Sequence, residues 1–260
     1  MKLVVVSTGM ASPFKEKCLE SVRSQLGCVL RPVAAEVPFV LEHVYFEASE
    51  QKPLLGKTEN FYRLVHALDP SDVVVCLDGD DWLSHDRVLL TVAGMHAAGA
   101  WVTYGSFALA ADLAGAADLA GFDTTRSHQR VVYGARNPRA HTRPYQSTAY
   151  RREPWNASHL KTFRAGLFQR IRLDDFMTAA EGDKGRQWLF TTDGAMMLPL
   201  LEMAGPRRSR HCPEVLYVWN QAVSNSVVGG QAGRDLERVH GEIIRAKAPY
   251  AELPADLEAP

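Results

Sequence analysis

Asp78-Gly79-Asp80-Asp81 sets three carboxylates within four residues, a spacing at which like charges repel unless a cation or hydrogen-bond donors compensate. A hard divalent ion suits that spacing, because Mg2+ or Mn2+ takes oxygen ligands and couples one or two protein carboxylates to a substrate phosphate. Gly79 permits a tight turn, and Trp82 either covers such a site or packs in the core. The plain structural reading of the same residues is an acidic surface turn capping the next helix. An EF-hand fits poorly, since Leu83 and Leu89 stand where its loop needs Gly and Glu. A second acid, Asp193, is followed by Gly194 and an apolar run, the pattern of a helix N-cap. His211 and His159 are candidates for a third ligand, as neutral imidazole suits Mn2+. Trp155 and Trp219 are candidate sugar-stacking groups, with core packing as their other role.

These residues need elements to position them. Val73 to Leu77 is an apolar, β-branched run that places the carboxylates at a strand's C-terminal end, where ligands bind in parallel α/β sheets. Leu3 to Val6 reads as a buried strand ending at Ser7-Thr8-Gly9. Ser12 caps the helix expected next, which carries Phe14, Cys18, Val22 and Leu26 on one face. A strand over Phe39 to Phe46 ends at Glu47. Beyond it a helix from Thr58 turns Phe61, Leu64, Val65 and Leu68 inward and stops at Asp69-Pro70. A helix is expected from near Ser84, then a strand over Trp101 to Leu109 and an Ala/Gly-rich insertion, ADLAGAADLAG. Val215 to Trp219 reads as a further strand, followed by a helix from about Gln231 to Ala248 and a tail expected to fray.

Composition bounds the class. The chain has 260 residues, 46% apolar and 23% charged, an ordinary globular balance that is neither disordered nor membrane-like. The four cysteines, Cys18, Cys28, Cys76 and Cys212, form no CxxC pair, and with no signal-peptide pattern the chain reads as cytoplasmic. Asn156-Ala157-Ser158 is then an accidental glycosylation match. The net charge of -1 hides a strongly uneven distribution, because residues 126–172 hold ten Arg and one Lys against Glu153 alone, a local charge of +10. Arg is suited to paired hydrogen bonds with phosphate, so Arg151 and Arg152 are candidate phosphate contacts; a solvated basic face is the other reading. Gly56-Lys57-Thr58 looks like the end of a P-loop, but Gln51 stands where its first glycine belongs. The first strand leads into STGMASP, which is no dinucleotide fingerprint, and no G-x-S-x-G elbow is present.

The opening strand with its Ser7-Thr8 loop, Asn60 in TENFYRLV, LDGDDWL at 77–83 and TTDGAMMLPLLE at 191–202 together resemble glycosyltransferase family 2. HLKTFR at 159–164 and PEVLYVW at 213–219 add to the likeness, which covers most of residues 1–226. The resemblance implies a GT-A fold: an α/β domain with a Rossmann-like, mostly parallel sheet flanked by helices, an acceptor-side region and a C-terminal helix. Residues 1–110 would form the nucleotide-sugar-binding half, 111–226 the acceptor-side and catalytic half, and 227–260 the C-terminal helix and tail. It implies metal-dependent transfer of a sugar, with inversion, from a nucleotide-sugar such as a UDP-sugar to an acceptor hydroxyl. Asp78 would lie near the ribose, with Asp80 as the main ligand of Mn2+ or Mg2+ and Asp81 supporting it. Ser7, Thr8, Glu47 and Asn60 would face the nucleotide, and Asp193 would be the general base. Apart from the resemblance, the other reading of His159 is that it faces donor or acceptor phosphate. Retaining transfer, a nucleotidyltransferase, an inactive nucleotide-sugar-binding scaffold, and a polyanionic or nucleic-acid acceptor are the alternative readings.

Overall fold

The computed structural model describes residues 1–9, 13–25, 38–47, 55–109, 143–179, 185–189, 192–220 and 231–254. The Ser12 cap, the Ala/Gly-rich insertion and the arginines between residues 126 and 142 lie outside the described residues.

Strand β1 (Lys2–Gly9) is buried from Leu3 to Thr8, so both of its faces are covered. It pairs in parallel with β2 (Val40–Glu47) on one side and β3 (Val73–Asp78) on the other. Alternate side chains sort to opposite faces. Val4 and Val6 pack with Phe61 and Val65 of α2 (Leu55–His66), with Phe168 of α4 (Ala165–Phe168) and with Met196 and Leu200 of α5 (Thr192–Arg208). Leu3 and Val5 pack with Cys18 and Val22 of α1 (Lys15–Arg23) and with Leu89 and Val92 of α3 (Val88–Ala97).

The sheet runs β2-β1-β3-β6-β5-β7-β4, where β4 is Trp82–Leu83, β5 Val102–Leu109, β6 Lys161–Arg164 and β7 Ser209–Trp219. It is a mixed sheet, not the mostly parallel one expected. Among the described strands, β6 runs antiparallel to both β3 and β5, and β4 runs antiparallel to β7. The reversal of β6 sets its N-terminal end beside the C-terminal end of β3, with Lys161 opposite Cys76. Strands from both sides of residue 110 thus share one sheet.

Helix α3 begins at Val88 rather than near Ser84, and the residues just before Ser84 are drawn into the sheet. Trp82 and Leu83 pair with Val218 and Tyr217, and the Ser84 hydroxyl donates to the Val215 carbonyl at 2.6 Å. The segment after α6 (Gln231–Ala246) does not fray over 247–254. Lys247 Nζ donates to the carbonyls of Asp174 and Met177, the Leu253 N–H to the Met203 carbonyl, and the Arg208 guanidinium to the carbonyls of Leu253 and Pro254. No described helix is long and apolar enough to cross a membrane.

Gly205 bends the end of α5 with φ 67° and ψ 175°, a region essentially reserved for glycine. A Cβ there would stand 2.2 Å from the Glu252 carboxyl group. Gly205→Ala should therefore destabilise the fold by about 1–3 kcal/mol, seen as a lower midpoint in urea unfolding with an unchanged slope.

Candidate functional site

The C-terminal ends of β1 and β3, the N-terminal end of β6 and the first turns of α2 and α5 surround a cleft that opens to solvent. Its charged lining is Lys57, Asp78, Lys161 and Asp193, with His159 beside them and Thr8 and Phe61 along the wall. Each of the two acids is held by a lysine. Lys57 Nζ lies 2.6 Å from Asp78 Oδ1, and Lys161 Nζ lies 2.5 Å from Asp193 Oδ2. The two lysines differ in freedom: the Lys161 side chain is 4% exposed, whereas that of Lys57 is 44% exposed.

Local sequence explains these positions. Thr58, expected to start α2, lies one turn in, where its hydroxyl donates to the Leu189 carbonyl and meets the Thr192 hydroxyl at 2.6 Å. This contact ties the first turn of α2 to that of α5. Asp193 follows in the first turn of α5, where exposed backbone N–H groups favour a carboxylate. Gly79 is needed for close approach, as a Cβ would stand 2.6 Å from the Tyr45 hydroxyl.

The three clustered carboxylates have distinct environments. Burial alone would raise the Asp78 pKa, but the Lys57 and Lys161 ammonium groups hold it well below the usual carboxylate range. Asp80 is shifted upward by burial and by the Asp78 charge. Asp81 is 1% exposed, and burial with Asp78 beside it pushes its pKa to about 8. Both Asp81 oxygens are engaged: the Tyr217 hydroxyl donates to Oδ2, and the Asn220 N–H donates to Oδ1 at 2.7 Å. Asp81 therefore pins the end of β7 to the carboxylate turn. Asp193 is shifted below its ordinary value, since the Lys161 charge outweighs the upward push of burial.

His159 stacks on the Tyr217 ring at 4.3 Å between centroids and meets Phe107 edge-on. Burial and Lys161 lower its pKa to about 3, so the imidazole is neutral, and its Nδ1 is buried without a hydrogen-bond partner among the described residues. The other expected histidine, His211, sits on β7 against the Tyr104 ring. Among the described residues no three His, Cys, Asp or Glu side chains converge to hold a metal ion. The donor set that remains is Asp80 with the second oxygen of Asp78. It fits a cation that completes its shell with phosphate and water, and it does not fit an all-protein cage.

The other expected residues lie elsewhere. Ser7 points to the opposite face of β1, where its hydroxyl meets His43 Nε2 at 2.9 Å and Cys18 Sγ at 3.6 Å. Glu47 ends β2 opposite Gly9, with its side chain outside the described residues. Asn60 is exposed on α2. Arg151 does not line the cleft: its guanidinium makes a two-pronged pair with Glu202 and donates to the Ile244 carbonyl. Arg152 is exposed, as is Trp155. Trp219 meets Phe107 edge-on, and Trp82 is core, 2% exposed with Lys17 Nζ 3.8 Å above its ring. Lys57 and Lys161 were absent from the sequence-based candidates. Lys57 sits in the Gly-Lys-Thr stretch dismissed as a P-loop, and Lys161 was legible as a lysine inside the strand-forming run KTFR.

No protein-family model and no curated sequence matches the chain. Among solved structures it resembles S. aureus TarS. Against residues 1–349 of TarS in complex with UDP-GlcNAc the identity is 12% and the TM-score 0.48, covering 100% of this chain and 68% of that one. Against the same fragment with UDP the values are 13% and 0.46, with the same coverage. Against a longer TarS structure they are 14% and 0.46, and the chain spans 41% of its length.

The Arg151 and Glu202 side chains are 9% and 5% exposed. Arg151→Ala leaves the Glu202 carboxylate buried without its cation and should cost about 3–5 kcal/mol of stability. Chemical denaturation of the variant beside an Arg151→Ala/Glu202→Leu double variant checks this, and the double variant should recover much of the loss.

Proposed function

We propose that the chain is a glycosyltransferase that moves a sugar from a nucleotide-sugar, a UDP-sugar in the first instance, to an acceptor hydroxyl with inversion. The observation that carries this reading is the meeting of Asp78 and Asp193, remote in sequence, in one solvent-open cleft at the C-terminal ends of β1 and β3. It joins the two acids that the resemblance to glycosyltransferase family 2 singles out.

In this reading Thr8 and Asp78 face the nucleotide side of the donor. Asp80 and the second oxygen of Asp78 would hold a divalent cation, Mn2+ or Mg2+, which would supply positive charge to the diphosphate. Asp193 accepts the proton of the acceptor hydroxyl as that oxygen attacks the anomeric carbon. The new glycosidic C–O bond forms while the bond from the anomeric carbon to the diphosphate oxygen breaks, and the configuration inverts. Neutral His159 leaves the cleft without a competing cation at that edge, and Lys161 fixes the orientation of Asp193. Arg151 takes no part, because it is held by Glu202.

Transfer assays across nucleotide-sugars and hydroxyl acceptors test the reading. Asp193→Asn should reduce kcat by about 100-fold or more while donor binding is kept. Normal turnover in that variant defeats the base assignment, and release of inorganic diphosphate in place of a nucleoside diphosphate identifies a nucleotidyltransferase.

The pH profile tests Lys161. With Asp193 held below its ordinary pKa, the base is ionised throughout the neutral range, and activity limited by it falls only in strong acid. Removing the cation in Lys161→Met makes the carboxylate harder to ionise, so the acid limb of kcat/KM should move to higher pH by about one unit. An unmoved limb with a changed kcat would show that Lys161 acts without setting the Asp193 charge.

A further inference from the structure

Two lysines enter the cleft, yet their surroundings suit them to different tasks. Lys161 is fixed within the sheet, between β3 and β5, with its ammonium buried against Asp193. Lys57 stands in the first turn of α2, nearly half exposed, with its ammonium at the mouth of the same cleft. Its Nζ contacts Asp78 and also feels the charges of Asp193 and Asp80. A flexible four-carbon stem lets an exposed lysine re-aim its donors over several ångströms, which a buried one cannot do.

A diphosphate entering this cleft brings at least two negative charges to a place already holding Asp78, Asp80 and Asp193. The donor set for a divalent ion includes Asp78, one of whose oxygens is covered by Lys57 in the ligand-free chain. The ammonium and a divalent ion therefore compete for Asp78, while the diphosphate offers the displaced ammonium a new partner.

We propose that Lys57 is the exchangeable counter-ion of the cleft. It neutralises Asp78 when no ligand is present and passes to the donor diphosphate when a divalent cation takes its place. This rests on the nucleotide-sugar reading above and adds to it a residue that contacts the phosphates. No covalent step is involved.

The test uses the full chain, Lys57→Gln and Lys57→Arg, with three probes: Mn2+ alone, inorganic pyrophosphate with Mn2+, and UDP with Mn2+. Binding of Mn2+ is followed by electron paramagnetic resonance and binding of the phosphates by calorimetry. Loss of one charge-assisted contact should weaken pyrophosphate and UDP by about tenfold in Lys57→Gln. Freed from its ammonium, Asp78 should bind Mn2+ alone several-fold more tightly in the same variant. Lys57→Arg should recover most of the phosphate affinity, because the cation is restored. Unchanged phosphate affinity or unchanged Mn2+ affinity in Lys57→Gln overturns the exchange and leaves the donor reading intact. If the unaltered chain binds neither pyrophosphate nor UDP, the donor reading falls and the role of Lys57 with it.

Discussion

Three carboxylates within one turn of backbone cannot all be ionised and buried together. At about 4 Å and an effective dielectric of about 20, each like-charged pair costs about 4 kcal/mol. The structure gives each acid a different solution. Asp78 is paired with Lys57, and Asp81 sits in the core, where burial and the Asp78 charge raise its pKa. Asp80, with a raised pKa, is left facing a shortage of positive charge. The proposed cation would answer that imbalance, while Tyr217 and Asn220 come from β7 to donate to the two oxygens of Asp81.

The reversed strand β6 answers the same electrostatic demand. A parallel strand beside β3 would bring its C-terminal end to the carboxylates. The antiparallel β6 brings its N-terminal end instead, and with it Lys161 beside Cys76 and His159 just outside the strand. The buried ammonium then meets Asp193 from α5. A mixed sheet thus places a cation between the two acids, and burial keeps the nearby imidazole neutral so that it adds no charge of its own.

Much of the fold was legible because its signals are local. The β-branched runs at Leu3–Val6 and Val73–Leu77 are buried on both faces and admit little besides central strands. The two acids of the cleft were legible for a related reason, since each ends or begins an apolar element in a recognisable way. The charged partners were not. Ten arginines between 126 and 172 look alike in sequence, but Arg151 turns inward to Glu202 and Arg152 outward to solvent, a choice made by α5 rather than by neighbouring residues. Ser7 and Thr8 are likewise adjacent, and the pleat alone sends Thr8 into the cleft and Ser7 beneath α1 toward Cys18 and His43. Strand polarity was lost for the same reason: KTFR forms a strand in either direction, and only pairing with both β3 and β5 sets which end carries Lys161.

The placement of Asp193 depends on contacts well outside the cleft. Its helix is tied at the first turn by Thr192 to Thr58 and further along by Glu202 to Arg151. Past the bend at Gly205, Arg208 is held by the carbonyls of residues 253 and 254. Arg151 in turn receives the Arg245 guanidinium on its own carbonyl and donates to that of Ile244, so α6 and the strap that follows it brace the helix bearing the acid. The base role proposed for Asp193 requires its carboxylate to be held to within fractions of an ångström. A helix anchored at three levels meets that requirement better than the cleft walls alone, because the Asp193 side chain is itself half open to solvent. The buried arginine thus supports the position of Asp193 from a distance, as part of the frame rather than as a phosphate contact.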